Sequence, residues 1–311
     1  MATHQSAFGL NLRGTFSLPG LPDALAGLPE LQLQVVGADE LEEAWSGPAT
    51  PGPWRGILRD GAELTIRWGR KGDLLFGYGE QARYLLDHSS GRLLCAPAEA
   101  SSLSWQRVLL SRVLPVVAIA RGYEALHAAA VRTAAGVVAI VGASGAGKST
   151  LAAELVGRGH ELFGDDVLVV GHNREGVVAF PGGAHLSLEA GTGALPEAEI
   201  LGELGGKLWT VAGEPVSEPA PVAAVVLLGR GEGQVEAEEL SPSPLSLAPF
   251  MLGLPDEEGR DGERFALYAD LVEVSRLLRL GGSASAPAGE FAEALERALE
   301  APALAVAGER R

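Results

Sequence analysis

The stretch GASGAGKSTLAAELVGRGHELFGDD, residues 142–166, joins a glycine-rich loop to two adjacent aspartates within one short segment. Its first eight residues, 142–149, fit the pattern G-x-x-x-x-G-K-[ST] in full. The apolar run GVVAIV precedes the loop and the segment STLAAELV follows it, so the pattern lies between a predicted strand and a predicted helix. This context predicts a phosphate-binding loop rather than a chance match.

Glycines in such a loop allow the backbone to fold closely around phosphate oxygens and to direct its N–H groups towards them. The dipole at the start of the following helix favours the same anion. We therefore expect ATP to bind here, with Lys148 contacting the β and γ phosphates and the Ser149 hydroxyl ligating Mg²⁺. The expected nucleotide-binding residues are Gly142, Ala143, Ser144, Gly145, Ala146, Gly147, Lys148, Ser149 and Thr150.

The two aspartates, Asp165 and Asp166, are predicted to return to this loop. A helix over residues 148–158 leads the chain roughly 15 Å away, at about 1.5 Å per residue. The strand HELFG, residues 160–164, brings it back by roughly 16 Å, at about 3.3 Å per residue. At the γ-phosphate end, one carboxylate can hold Mg²⁺ and the other can accept a proton from an attacking hydroxyl. The structural alternative is a solvated Asp-Asp turn.

Together with LHAAAV, the segment VVAIVGASGAGKSTLAAELVGRGHELFGDDVLVV resembles the catalytic core of the HPr kinase/phosphorylase family, whose relatives include kinases that modify peptide precursors. The resemblance covers residues 126–170. It implies an α/β fold, a P-loop kinase core with a mixed sheet, that uses ATP and Mg²⁺ to phosphorylate a serine hydroxyl of a protein or peptide. It also implies Asp165 as the catalytic base and Asp166 as a Mg²⁺ ligand, although the two aspartates could exchange roles. His127 is implied near the transferred phosphate as a catalytic residue, with a structural hydrogen-bonding histidine as the alternative. A homo-oligomer is a further expectation, because the family tends to assemble.

One motif of that family is missing from the sequence. The family's E-I-R-G-L-G motif supplies another acidic metal group and supports the reverse reaction, whereas the comparable region here reads FPGGAHLSLEAGTGALPEAEI. Glu189 or His185 could substitute locally, but a surface strand is the structural alternative. Lys207 could reach a phosphate or an acidic substrate, or be a solvated lysine. HPr as the acceptor, and phosphorylase activity, therefore do not follow from the resemblance.

The charge composition argues against two classes of partner. Lys plus Arg number 24 and Asp plus Glu number 40, giving a net charge of −16 over 311 residues. Such a chain repels nucleic acid and anionic lipid. The single cysteine, Cys95, cannot form an internal disulfide, and no Cys or His spacing is typical of a zinc site. The longest apolar run, residues 113–120, is too short to span a bilayer, so we expect a cytoplasmic protein.

The remaining pattern predicts three regions. Residues 1–100 read as a β-rich module of short antiparallel strands, which is the candidate for acceptor recognition. Residues 101–122 form a connecting helix over 103–120, kinked at Pro115. Residues 123–311 form the catalytic domain. C-terminal helices are predicted near residues 245–252, 263–279 and 288–299.

Three functions remain open at this stage. The leading hypothesis is an ATP-dependent kinase that acts on a serine-type hydroxyl of a protein or peptide. The alternatives are a kinase of a small-molecule alcohol and a non-catalytic ATP-binding regulatory module. A GTPase is excluded because no N-K-x-D motif occurs, and an ABC-type ATPase is disfavoured because no acidic strand follows LGGSAS.

Overall fold

The first hundred residues, in which apolar stretches alternate with turn residues, fold into a β-sheet. The structure is a computed structural model and describes residues 3–50, 52–58, 61–189, 195, 198–254 and 260–302. Within this part of the chain, the sheet contains β1 (Thr3–Ala7), β2 (Leu10–Gly14), β3 (Glu30–Val35), β4 (Trp54–Ile57), β5 (Glu63–Trp68), β6 (Leu74–Tyr78), β7 (Ala82–Asp87) and β8 (Arg92–Pro97). Their order is β1-β2-β3-β8-β7-β6-β5-β4, which places β4 at one edge.

Strands β4 to β8 form the predicted antiparallel meander. Strand β3, however, lies parallel to both β2 and β8, so the sheet is mixed and the prediction of an antiparallel module is wrong there. Long connections flank β3: residues 15–29 separate it from β2, and the connection to β4 contains helix α1 (Ala38–Ala44). A strand with such a connection is not tied into a hairpin and can pair in parallel.

The predicted connecting helix forms as a continuous rod with an irregular centre. It comprises α2 (Ser104–Val108), a π-helical turn (Leu109–Val113) and α3 (Leu114–Ala120). Pro115 is the second residue of α3 and lacks the N–H that would bond to the carbonyl four residues earlier. The rod is largely apolar, and Leu109, Val113 and Val117 are fully buried.

The rest of the chain builds a larger mixed sheet and a small one. The elements are β9 (Glu124–Leu126), β10 (Ala128–Thr133), β11 (Gly136–Val141), α4 (Lys148–Gly157), β12 (Glu161–Gly164), β13 (Leu168–Asn173), β14 (Gly176–Phe180), β15 (His185–Glu189), β16 (Glu199–Leu204), β17 (Lys207–Val211), β18 (Ala220–Leu228), β19 (Glu236–Leu240), β20 (Met251–Leu252), α5 (Asp261–Val274), β21 (Arg276–Gly281) and α6 (Ala288–Glu300). Strands β10 and β11 form an antiparallel hairpin, and β11, β18 and β21 run parallel at the centre of the larger sheet. Strands β15, β17 and β16 form the small sheet.

Two of the predicted C-terminal helices need correction. The segment 245–252 is not an α-helix: it forms two 3₁₀ turns, Pro244–Ser246 and Ala248–Phe250, followed by β20. Pro249 removes a backbone donor and disfavours a regular helix there. The helix predicted over 263–279 ends at Val274, and the residues beyond it form β21 between β18 and β19. The prediction over 288–299 is confirmed by α6.

One apolar core connects the two larger sheets. Buried residues of the first sheet, such as Tyr84, belong to the same cluster as Val113 of the rod and as Val169 and Phe180 of β13 and β14. The rod therefore packs against both sheets and buries apolar area from each. Along the described residues, no helix is long and apolar enough to cross a membrane.

Candidate functional site

The glycine-rich loop, residues 142–149, connects β11 to α4. Gly145 and Gly147 adopt φ values of +83° and +95°, in the left-handed region that favours glycine. At Gly142 a Cβ atom would lie 2.6 Å from the carbonyl oxygen of Leu228, on the neighbouring strand β18. The loop thus needs glycine at these positions, which is the strand-to-helix geometry that the sequence pattern predicts.

The Lys148 ammonium group lies inside this loop. Lys148 is buried, and its Nζ donates to the carbonyl oxygens of Gly142 and Ala143 at 3.0 and 3.2 Å. It also lies 3.1 Å from Nε2 of His127. Because an ammonium group can only donate, Nε2 of His127 accepts this bond, so Nδ1 carries the proton and donates to the carbonyl oxygen of Asp166 at 2.9 Å.

Asp165 meets the start of helix α4. Strand β12 runs antiparallel to β10 and ends at Gly164, so the chain returns to the loop directly before Asp165. Oδ1 of Asp165 accepts a bond from the Ser149 hydroxyl at 2.8 Å, and Oδ2 accepts the Ser187 N–H at 3.0 Å. Burial, together with the charge of Asp166, raises the pKa of Asp165 above its ordinary value, although these hydrogen bonds oppose the shift.

Asp166 lies beside Asp165 in an unusual backbone conformation. Its φ of +75° is in the left-handed region, which aspartate tolerates better than most residues. Oδ2 accepts from Nη1 of Arg112 at 2.5 Å, and Oδ1 is 3.4 Å from Nδ1 of His127. Burial alone would raise the pKa of Asp166, but the charge and hydrogen bond of Arg112, together with the charge of Lys148, outweigh it and lower this pKa.

Arg112 is a site residue that the sequence reasoning missed. It lies in the π-helical turn, and its Nη1 also donates to the carbonyl oxygen of Ser111 at 3.0 Å. That carbonyl is the one that an N–H at position 115 would bond in a regular helix, and Pro115 has none. The contact with Asp166 joins residues 54 positions apart, so no local pattern could have indicated it.

Other residues considered from the sequence bond to groups outside the aspartate pair, although His185 and Lys207 line the same cavity as the two aspartates. Nε2 of His185 contacts the carbonyl oxygen of Pro19 at 2.6 Å, and its ring stacks on Trp209. Burial lowers the pKa of His185 to about 4. Nζ of Lys207 is 3.5 Å from the carbonyl oxygen of Ser187. Glu189 is the last residue of β15 and is exposed, so neither it nor His185 joins the aspartate pair.

A cavity of about 700 Å³ opens above the two aspartates. Its polar wall includes Asp165, Asp166, His127, Ser144 and Ser149. Its apolar wall comes from the first sheet, the rod and the segment after β20. The cavity therefore combines charged groups at one end with a hydrophobic remainder, as ligand sites commonly do.

Arg230 marks the opposite side of the glycine-rich loop. Its Nε donates to the carbonyl oxygen of Ala146 at 3.2 Å, and its guanidinium lies 3.9 Å from the centre of the Phe291 ring. The sequence reasoning missed this residue as well, because it follows β18 and has no motif around it. It fixes the outer part of the loop near Gly147.

The residues present fit a nucleotide with Mg²⁺. The loop presents backbone groups and a buried ammonium, and the Ser149 hydroxyl and the Asp165 carboxylate are adjacent hard oxygen donors. No cluster of three or more His, Cys, Asp or Glu side chains in the described residues forms a metal cage. Mg²⁺ takes one or two carboxylates and completes its shell with water and phosphate oxygens.

Comparisons with known proteins find similarity only among solved structures. No protein-family model matches the chain, and no curated protein matches it. Among solved structures, the chain is similar to the HPr(Ser) kinase/phosphatase from Coxiella burnetii, with 14% identity and a TM-score of 0.31. The match covers 56% of this chain and 95% of that one.

Proposed function

We propose that this protein is an ATP-dependent phosphotransferase that moves the γ-phosphoryl group of ATP to a hydroxyl. One observation carries the proposal: the serine of the G-x-x-x-x-G-K-[ST] loop bonds directly to the first of two adjacent aspartates, with 2.8 Å between Ser149 Oγ and Asp165 Oδ1. A phosphate-binding loop needs such a carboxylate beside its serine to hold Mg²⁺. The second carboxylate, Asp166, is then available for the acceptor.

The geometry favours Asp165 on the metal side. Its contact with Ser149 pairs the two oxygen donors that hold Mg²⁺ in such sites. When bound, Mg²⁺ offsets the charge on the β and γ phosphates. Lys148, now bonded to loop carbonyls, would donate to the same phosphates. This assignment exchanges the roles that the family resemblance implies, an exchange that the sequence left open.

Asp166 would receive and orient the acceptor hydroxyl. It lines the cavity, and the lowered pKa keeps its carboxylate ionised at neutral pH, so it can accept a hydrogen bond from an incoming hydroxyl. Because the transition state of phosphoryl transfer is loose, positioning matters more than base strength. Arg112 and the protonated Nδ1 of His127 hold Asp166 in place. A serine of a protein or peptide remains the acceptor predicted from the sequence.

Two variants and one control test these roles. For Asp165→Asn, we expect ATP turnover to need a much higher Mg²⁺ concentration. For Asp166→Asn, we expect ATP binding to persist while turnover falls by about 100- to 10,000-fold, as for loss of a proton acceptor. Asp270→Asn is the control, because Asp270 is exposed and contacts only His172 among the bonds described.

Calorimetric titration with ATP and Mg²⁺, paired with measurement of ADP release, separates binding from turnover. Tight binding of ATP by the wild type with no turnover in the presence of any acceptor would instead identify a nucleotide-binding module. Unchanged turnover in both aspartate variants would contradict the proposed chemistry.

A further inference from the structure

The cavity above the aspartates has an apolar end that phosphate chemistry does not use. Leu64 and Ile66 of β5 are 5% exposed and line this end. Their register partners on β4 are Gly56 and Trp54, so these four residues share one face of the first sheet. This face lines the same cavity as Asp165 and Asp166.

Trp54 forms the outer rim of the apolar end. It lies on the edge strand β4 and is 44% exposed. A Cβ atom on Gly56 would lie 2.7 Å from Cη2 of Trp54, so the ring lies across this glycine. The indole therefore provides a broad apolar surface at the mouth of the cavity.

The rod and the segment after β20 complete the apolar wall. Pro115, Val116 and Ile119 of the rod line the cavity, as do Leu252 and Leu254. The apolar end is thus enclosed by three separate parts of the chain. An enclosed volume of this kind holds a ligand body, whereas a flat surface would not.

The nucleoside of ATP belongs on the other side of the loop. Only Ser144 and Ser149 of the loop line the cavity, while Ala146 and Gly147 lie next to Arg230. In phosphoryl transfer the attacking and leaving oxygens lie in line, on opposite sides of the γ phosphorus. With ADP towards Arg230, the attacking hydroxyl comes from the cavity.

From this arrangement we infer that the acceptor is a small alcohol whose hydroxyl is joined to an apolar body held between the first sheet and the rod. The inference rests on the proposed function and names its substrate class. The cavity of about 700 Å³ falls within the range of roughly 300–1,000 Å³ typical of small-molecule sites. A hydrophobic acceptor body also explains why so much of the lining lacks polar groups.

The transfer balances with these groups alone. The acceptor oxygen forms a bond to the γ phosphorus, and the bond from that phosphorus to the β–γ bridging oxygen breaks. The hydroxyl proton passes to Asp166, and the electron pair of the broken bond leaves with ADP. The products are ADP and a phosphate monoester of the alcohol.

A homologous series of linear primary alcohols, from ethanol to 1-octanol, tests the inference with the full chain. Alkyl phosphate formed from γ-labelled ATP is measured for each alcohol, and inorganic phosphate from water is measured in the same samples. Burial of each added methylene predicts a rise in kcat/KM of roughly fourfold, until the cavity is filled. A flat series with clear release of inorganic phosphate overturns the acceptor class while leaving the phosphotransferase proposal intact.

Matched variants locate the effect in the cavity. Val116→Phe fills it from the rod, and Val274→Phe makes the same change at a 63% exposed position on α5. We expect Val116→Phe, but not Val274→Phe, to lower the ratio of octyl phosphate to inorganic phosphate by about tenfold. The larger side chain would exclude about two methylene groups of the alcohol from the cavity. Trp54→Ala, with Phe265→Ala as its exposed control, provides a second pair if Val116→Phe does not fold.

Three results contradict the inference. A higher KM for ATP in Val116→Phe, with an unchanged octyl phosphate ratio, places the nucleoside in the cavity. Faster phosphorylation of a Leu-Ser-Leu peptide than of any alcohol replaces the small molecule with a peptide segment. If no ADP forms with any acceptor or with water, both the proposed function and the inference are wrong.

Discussion

At the residue scale, Asp166 combines a catalytic position with a strained backbone. Its φ of +75° is tolerated by Asp and Asn, whereas the same conformation destabilises alanine by about 1 kcal/mol or more. We expect both Asp166→Asn and Asp166→Ala to lose the Arg112 ion pair, but Asp166→Ala to lower the free energy of unfolding by about 1 kcal/mol more. Urea denaturation of the two variants measures this difference. Equal stabilities would show that the left-handed conformation does not persist in solution.

A second residue, His185, makes stability depend on pH. Burial lowers its pKa to about 4 in the folded protein, whereas it is about 6.5 in the unfolded chain. The unfolded state therefore binds a proton first, so the stabilisation is complete above pH 6.5 and is lost as the pH falls towards 4. We expect His185 to account for about 2 kcal/mol of the stability that the wild type loses between pH 7 and pH 5.

His185→Gln tests this by denaturant titration at both pH values, with His172→Gln as the control because His172 is half exposed. The loss of stability between pH 7 and pH 5 should be smaller in His185→Gln than in the wild type, by the amount attributed to His185. In His172→Gln it should be unchanged. If both variants lose as much stability between pH 7 and pH 5 as the wild type, groups other than His185 cause the pH dependence.

At the element scale, the π-helical turn links Pro115 to the site. Because Pro115 has no N–H, the Ser111 carbonyl accepts from Arg112, whose same Nη1 binds Asp166. An alanine at position 115 restores a backbone donor that competes with Arg112 for the Ser111 carbonyl. We expect Pro115→Ala to remain folded but to lower ADP formation by on the order of 10- to 100-fold, because Asp166 is no longer held in place.

The exposed Pro242 supplies the control variant, Pro242→Ala, which should turn over ATP at the wild-type rate. Comparison of ADP formation rates in the two variants gives the answer. Wild-type turnover in Pro115→Ala would show that Arg112 does not depend on the proline.

Elements with local signals were predictable from the sequence, and those decided by distant contacts were not. The loop, α4 and β12 follow from a motif, a glycine stop and chain length, and the structure has them where expected. Residues 276–279, RLLR, were predicted as the end of a helix, because their leucines fit the spacing of a helix as well as that of a strand. Their burial between β18 and β19 makes them part of a strand instead. The contact between Arg112 and Asp166, which completes the site, depends on such tertiary packing.

At the scale of the whole molecule, one apolar core crosses the predicted boundaries near residues 100 and 122. Tyr84, Val113 and Phe180 belong to the same buried cluster although they come from three predicted regions. The division into 1–100, 101–122 and 123–311 stays a prediction. We expect the chain to unfold cooperatively, because neither large sheet can lose the rod without exposing apolar surface.

Urea unfolding followed by tryptophan fluorescence and by far-UV circular dichroism measures this cooperativity. Four of the five tryptophans, Trp45, Trp54, Trp68 and Trp105, belong to residues 1–122, so fluorescence mainly reports the first sheet and the rod. The two midpoints should coincide within error. Separate midpoints would indicate that the first sheet unfolds independently.

The central claim is that the loop and the aspartate pair catalyse transfer of the γ-phosphoryl group of ATP. The most direct measurement is the rate at which the full chain forms ADP from γ-labelled ATP and Mg²⁺, with 1-octanol and water as acceptors, in the wild type and in Asp166→Asn. We predict label in octyl phosphate and inorganic phosphate for the wild type. For Asp166→Asn we predict a loss of about 100-fold or more in both products, with ATP still bound. Equal rates of label transfer in the two proteins, or none in the wild type despite bound ATP, would contradict this account.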